Sequence, residues 1–248
     1  MAPNILTRCK IAWENHKLSH AASLIQPEVI TSISAPTVQR QTMFHVSEHT
    51  VPMDTISCIL THGTRHVIAL NFANAMFPGG AYLLGGDAQE ESLCRASLLY
   101  DAIRTARAYY WRNRLHVLPD YTHTMIYSPN VPVIRNNDGE LLAEQRLCSF
   151  ITCPAVNRTF ARFLFSQKHI SAVMEQRITN IIMLAASKNP DVLILGAFGC
   201  GVFGNRRDEV FPLFEQAINL YLPDSVKILF AVPDSKSCTS NEWRNYDV

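Results

Sequence analysis

Val192-Leu-Ile-Leu-Gly-Ala-Phe-Gly-Cys-Gly-Val-Phe-Gly-Asn205 is the stretch on which the fold class turns. Its first residues form a short apolar run bounded by turn formers, as a strand covered on both faces does. The run enters four glycines within nine positions, Gly196 to Gly204. A helical pattern follows near Phe211 to Leu222, then a second apolar run, Lys227 to Val232. Strand, glycine turn, helix and strand make a βαβ unit. Such a turn brings backbone amides close to a ligand diphosphate at a helix N-terminus.

Gly199, Gly201 and Gly204 also spell G-x-G-x-x-G, with Asp224 twenty residues on, where a Rossmann fold places a ribose-binding acid. Against an NAD-dependent oxidoreductase, the match lies in the last fifth of the chain, with no room behind it for a second mononucleotide half. Asp224 also follows Pro223, in a turn rather than at a strand end.

Upstream, Asn4 to His20 reads as a helix carrying Ile11, Ala12 and Trp13, and a proline-punctuated stretch after it as loops and short edge strands. His66-Val-Ile-Ala-Leu-Asn71 is a buried strand that opens into Asn74-Ala-Met-Phe-Pro-Gly-Gly-Ala81, a loop by composition. From Gln89 the pattern turns helical, with Leu93, Ala96, Leu99 and Ile103 on one face. Met125 to Ser128 and Phe150 to Cys153 read as strands, and Val131-Pro-Val-Ile134 before Asn-Asn-Asp-Gly as a hairpin. Ile170, Met174, Ile178, Ile181, Ile182 and Ala185 define the clearest amphipathic helix. The expectation is one α/β domain with a mixed or parallel sheet.

Composition narrows the partners. A length of 248 residues suits one large domain, and 17% charged residues with 48% hydrophobic ones describe a globular chain. A net charge of +1 gives no global drive toward duplex nucleic acid or a membrane surface, and no apolar run is long enough to span a bilayer. The seven cysteines form no C-x-x-C pair and no leader is recognisable, so reduced thiols in a cytoplasmic compartment are expected, with export as an effector left open. The nine histidines show no ligand spacing, so neither metal nor cofactor is expected.

The paired acids Glu90 and Glu91 are where chemistry is sought. Acidic residues in a first helical turn are common because the macrodipole favours them. Their approach through strand, Asn71-Phe-Ala-Asn74 and a glycine loop puts them instead at the mouth of an open sheet, where α/β proteins build sites.

Asn71-Phe-Ala-Asn-Ala, Pro78-Gly-Gly-Ala81 and Gln89-Glu-Glu91 together resemble the signature of bacterial-type poly(ADP-ribose) glycohydrolases, members of the macrodomain superfamily. The likeness continues, in order, through Ser128-Pro-Asn-Val-Pro-Val-Ile-Arg135, Ile151-Thr-Cys-Pro-Ala-Val-Asn157 and Leu195 to Asn205. The resemblance implies a three-layer α/β/α macrodomain over 1–248, with a mixed sheet and accessory helices in about the first 60 residues. It implies cleavage of the ribose–ribose bond of poly(ADP-ribose), with Glu91 as general acid and then base and Glu90 on the ribose hydroxyls, kept ionised by them. Asn74 would orient that ribose, and Gly79, Gly80, Ala81 and Gln89 would line its pocket. Gly199, Cys200, Gly201, Val202 and Phe203 would hold the diphosphate. Ala81 stands where the family has a third glycine. A positive φ there would strain it, whereas a negative φ leaves a methyl that only narrows the pocket.

Other readings stay open: a mono-ADP-ribosyl hydrolase acting on protein or nucleic acid, and a reader that binds ADP-ribose without turnover. Phe198 and Phe203 are candidates for the adenine or for the core, and Arg206 and Arg207 for a phosphate or a solvated helix start. Arg104, Arg107, Arg112 and Arg114, among Tyr109, Tyr110 and Trp111, resemble a basic–aromatic nucleic-acid patch, or equally a helix face of snorkelling arginines, or a contact for the anionic polymer or the protein carrying it. The expected partner is ADP-ribose or its polymer on modified proteins, with no membrane or direct nucleic-acid binding and the protein a monomer.

Overall fold

The computed structural model describes residues 3–22, 24–36, 40–62 and 65–233, so Cys238 lies outside the described residues. Helix α1 (Ile5–Ala21) begins where the Asn4 side chain accepts from the Thr7 amide at 2.9 Å. Strands β1 (Glu28–Ile30) and β2 (Thr50–Val51) are the short edge strands expected of the proline-rich stretch. Helix α2 (Thr55–His62) was not legible as a helix, though Asp54 signals it by accepting from the Ser57 amide at 2.9 Å. Strand β3 (Val67–Phe72) precedes the catalytic-loop candidate.

The helix expected from Gln89 to Ile103 is two helices, α3 (Gln89–Ala96) and α4 (Leu99–Ile103). Between them Ser97 bridges to Val133 and the Leu98 amide donates to the Pro132 carbonyl at 3.0 Å, so sheet pairing outcompetes the helical ladder. After α5 (Arg107–His116) come β4 (Met125–Arg135) and β5 (Leu141–Cys153). The two strands read at 125–128 and 131–134 are one, shifted in register between Ser128 and Val131, which accommodates Pro129. Phe150 to Cys153 is only the buried end of β5; its first half alternates outward and carries no long apolar run. The chain continues through α6 (Arg158–Ala161), α7 (Gln167–Ser187), β6 (Val192–Gly196), α8 (Arg207–Tyr221) and β7 (Lys227–Ala231).

Among the described residues seven strands lie in the order β1-β4-β5-β3-β6-β7-β2. Strands β5, β3, β6, β7 and β2 are mutually parallel; β4 is reversed, pairing antiparallel with β5 and with the edge strand β1, which gives the mixed sheet. Two-residue alternation splits the core between the faces. Ile68, Leu70, Leu193, Leu195, Ile228 and Phe230 pack under α7 and α8. Val67, Ala69, Val192, Ile194, Leu229 and Ala231 pack on the other side, under α2 to α5. That is the expected three-layer arrangement. Among the described residues no helix is long and apolar enough to cross a membrane.

The N-terminal helix is built into this frame. Arg135, buried at the end of β4, donates to Asn15 Oδ1 at 2.9 Å, Glu14 Oε2 at 2.9 Å and the Gly139 carbonyl at 2.8 Å. It thereby ties α1 to the β4–β5 turn. Arg135→Ala is expected to cost about 3 kcal/mol, the low end for breaking a buried pair, because Glu14 is partly solvated. A chemical denaturation midpoint falling at unchanged slope would register it.

Candidate active site

Parallel strands β5, β3 and β6 end side by side, so the loops that follow them share one edge of the sheet. The loop after β3 closes on the start of α3 through three consecutive side chains. Gln89 accepts from the Phe72 amide at 2.9 Å and donates to the Leu70 carbonyl at 2.8 Å. Its amide therefore holds α3 against β3. Glu90 accepts from the Asn74 amide at 2.7 Å and from Asn71 Nδ2 at 3.3 Å. Glu91 accepts from the Ala81 amide at 2.8 Å.

Both carboxylates are buried, Glu90 at 3% and Glu91 at 8% exposure. They close on Gly80: a Cβ there would stand 2.5 Å from a Glu91 oxygen and 3.4 Å from a Glu90 oxygen. Its φ of +54° also excludes most side chains. Ala81 has φ −92°, so the residue in place of the expected glycine is unstrained. Asn74 uses Oδ1 to accept from the Met76 and Phe77 amides at 2.8 and 2.9 Å, which shapes the loop and leaves its Nδ2 without a hydrogen bond among the described residues.

Burial pushes the Glu90 carboxyl up to about 8, with the charge of Glu91 acting the same way, against hydrogen bonds from Asn74, Asn71 and Gly79. Desolvation thus outweighs the favourable helix start for this group. In the sequence Asn71 stands out only as part of a motif. It is fully buried, bridges Glu90 and Thr152 Oγ1 (3.2 Å) and leaves its own Oδ1 unpartnered. The signal was available: a polar residue ending an apolar strand must find a polar partner. The loop is braced from outside by Arg95 and by Arg8 of α1, both paired with Asp87.

The second loop, after β6, turns at Gly199 (φ +72°), whose Cβ would stand 2.4 Å from Ala155 Cβ. Asn205 Nδ2 fastens its base, donating to the Val156 carbonyl at 2.8 Å and that of Gly199 at 3.2 Å. The Cys200 and Gly204 amides donate within the loop, whereas those of Gly199, Gly201, Val202 and Phe203 donate to no acceptor among the described residues. A run of unengaged amides at a turn is an anion-binding concavity. Cys200 is half-buried and burial pushes its thiol up to about 12, which rules against a nucleophile. Phe198 is core, packed between Phe72 (5.7 Å) and Phe214 (6.4 Å), whereas Phe203 is partly exposed and faces Tyr121 at 6.1 Å.

Arg206 pairs with Asp208 at 2.6 Å, as at a solvated helix start. Asp224 accepts from the Gln41 and Thr42 amides at 2.7 and 3.2 Å, so it is spent on a loop and not on a ribose. Among the described residues β6 is followed in the sheet by β7 and β2 alone, an order without the second half of a dinucleotide fold. Among the described residues no group of three or more His, Cys, Asp or Glu side chains is arranged to hold a metal ion.

A family model described as microbial-type PARG, catalytic domain, matches residues 7–136, just over half the chain. The poly(ADP-ribose) glycohydrolase (PARG) of Thermomonospora curvata superposes with a TM-score of 0.80 at 26% identity, covering 94% of this chain and 95% of its own. Its structure with the inhibitor ADP-HPD gives 0.78 at 26% identity, covering 92% and 94%. The Deinococcus radiodurans enzyme, solved in complex with ADP-ribose, gives 0.67 at 31% identity, covering 75% of this chain and 76% of its own. No curated protein sequence matches the chain. By sequence and by fold the chain belongs to the microbial-type poly(ADP-ribose) glycohydrolase family, and is a glycosidase with that family's macrodomain-like architecture.

Proposed function

We propose that this enzyme hydrolyses the ribose–ribose O-glycosidic bond of poly(ADP-ribose) and releases ADP-ribose, with Glu91 as the catalytic acid. The observation that carries the reading is the pairing, on adjacent strand ends, of two buried carboxylates with a turn of unengaged amides. That pairing matches a diphosphate flanked by a ribose. Gly199 to Phe203 take the diphosphate through backbone N–H groups. Asn74 Nδ2 and Glu90 bind hydroxyls of the ribose to be cleaved, and the backbone of Gly79, Gly80 and Ala81 walls its pocket. Gln89 contributes by fixing the helix that carries both acids.

Glu91 donates its proton to the departing ribose oxygen as the bond to the anomeric carbon breaks. The oxocarbenium-like centre is stabilised by ionised Glu90. Water then attacks that carbon and gives its proton to the Glu91 carboxylate, which restores the acid. A reader that only binds ADP-ribose has no use for a second carboxylate kept in a desolvated site at the cost Glu90 incurs. The reading extends to one catalytic domain with an accessory N-terminal segment, acting as a cytoplasmic monomer on ADP-ribose chains attached to proteins.

Glu91→Gln is expected to lower ADP-ribose release from poly(ADP-ribosyl)ated protein by roughly 10²- to 10⁴-fold, the usual worth of a general acid. Chromatography would follow release, and calorimetry on the same protein should find ADP-ribose affinity kept. Binding without release by the wild type as well would leave a reader or a mono-ADP-ribose specificity.

Glu90 makes a second, pH-linked expectation. With its carboxyl near 8 in the free protein, it holds its proton at pH 7. Ribose hydroxyls donate to the ionised form and so favour proton loss. ADP-ribose binding at pH 7 should therefore release most of one proton, seen as a buffer-dependent binding enthalpy and absent in Glu90→Gln. The sign for stability follows from the same shift. A folded pKa above the ordinary 4.5 means the native state binds the extra proton, so stability is lost as pH rises from about 4.5 to about 8. Glu90→Gln should flatten that decline in thermal melts.

A further inference from the structure

Pro78 serves two places at once. It precedes Gly79 and Gly80, on which the carboxylates close, and it lines a groove of about 540 Å³ bordered by Arg104, Arg107, Tyr110, Trp111 and Arg114. Arg107, Trp111 and Arg114 recur at three- and four-residue spacing along one face of α5. No carboxylate lines the groove. Arg104 shares its charge with buried Asp101 at 2.9 Å. Arg114 donates through Nε to the Met76 carbonyl at 2.9 Å and lies over the Phe77 ring at 5.4 Å, which ties α5 to the catalytic loop. The Arg107 side chain makes no hydrogen bond or ion pair among the described residues, its backbone amide alone donating to the Thr105 carbonyl at 2.8 Å. Trp111 and Phe77 are 63% and 59% exposed, a large apolar surface to leave in water beside unspent cations.

Tyr110 connects the groove to the acids. It borders the groove while its hydroxyl is buried without a hydrogen-bond partner. Its phenol is pushed above the ordinary range by burial first and by the charge of Glu90 next, with Arg114 pulling the other way. The groove and the cleavage point are therefore neighbours. Cations interleaved with exposed rings suit an anionic chain that carries aromatic bases, because phosphates pair with guanidinium and bases stack.

We propose that this groove is a second binding site, for the ADP-ribose unit on the far side of the scissile bond, with Arg107 and Arg114 on its diphosphate and Trp111 stacked on its adenine. The inference rests on the polymer reading above. A chain whose terminal unit fills the first site must leave past Glu91, and Pro78 is shared between that loop and the groove.

The test is anisotropy of labelled poly(ADP-ribose) with Glu91→Gln protein, alone and combined with Arg107→Ala and Trp111→Ala. Both added substitutions are at exposed positions. The combined variant is expected to bind the polymer roughly tenfold or more weakly, the scale of one lost base stack and one lost phosphate contact. Its log affinity should fall less steeply with log salt, by roughly 0.7 for the arginine removed. Calorimetry with ADP-ribose alone should differ by less than about twofold, since the diphosphate loop is untouched. Glu91→Gln with Arg112→Ala, on α5 but outside the groove, should bind the polymer as Glu91→Gln alone does.

Equal polymer affinity with and without the groove substitutions overturns the second site and leaves the hydrolase reading standing. No polymer binding by the Glu91→Gln protein overturns both. Binding of polyglutamate that the same substitutions abolish, with polymer affinity unchanged, overturns the proposal and makes the groove a face for an acidic protein.

Discussion

Two neighbouring carboxylates cannot be taken out of water at one helix start unless the backbone around them supplies hydrogen bonds. An unpaired buried charge costs several kcal/mol, and like charges side by side add to it. Here the end of β3 and the loop after it supply what is needed: amides of Asn74 and Ala81, and the side chain of Asn71. Gln89, one residue earlier, clamps the same helix to the backbone of Leu70 and Phe72. Much else near the site is support for that arrangement. Gly80 must be glycine to let both acids approach, and Arg8 and Arg95 hold Asp87 so that the loop returns to α3 in the right place. The α1 helix is in this sense part of the foundation of the loop after β3, and it is also anchored on Arg135.

The sheet topology brings the second loop to this centre. Because β3 pairs in parallel with β6, the strand that ends at Phe72 and the one that ends at Gly196 deliver their loops side by side. Phe72, at the end of β3, and Phe198, in the loop after β6, meet edge to face at 5.7 Å. Burial then sets the protonation state: the dipole at the start of α3 favours an ionised Glu90, yet desolvation pushes its carboxyl up to about 8.

What could be read in the sequence follows from how local the signals are. The βαβ unit at 192–231, the long helix under β6 and the two glycine loops rest on periodicity and turn chemistry within short windows, and they stand in the structure within a few residues. The α3–α4 break was invisible because Ser97 and Leu98 leave the helix to pair with β4, a contact distant in sequence. The long strand β5 was half-missed because its first seven residues face solvent and alternate weakly. At the site, Glu90 and Glu91 announced themselves as a pair, but their burial did not, and neither did the use of Gln89 as a clamp. Asn71 was passed over because its task, satisfying a buried acid across the strand end, exists only once α3 has docked. Ala81 raised a question of strain that only a φ angle answers, and −92° answers it.

The position of ADP-ribose decides between these assignments, and a crystal structure of the Glu91→Gln protein with ADP-ribose measures it directly. It should show the diphosphate oxygens about 2.7–3.2 Å from the amides of Gly199, Gly201, Val202 and Phe203, with the terminal ribose against Glu90 and Asn74. ADP-ribose bound with its diphosphate away from that turn, or with its ribose remote from Glu90 and residue 91, would contradict the proposed site.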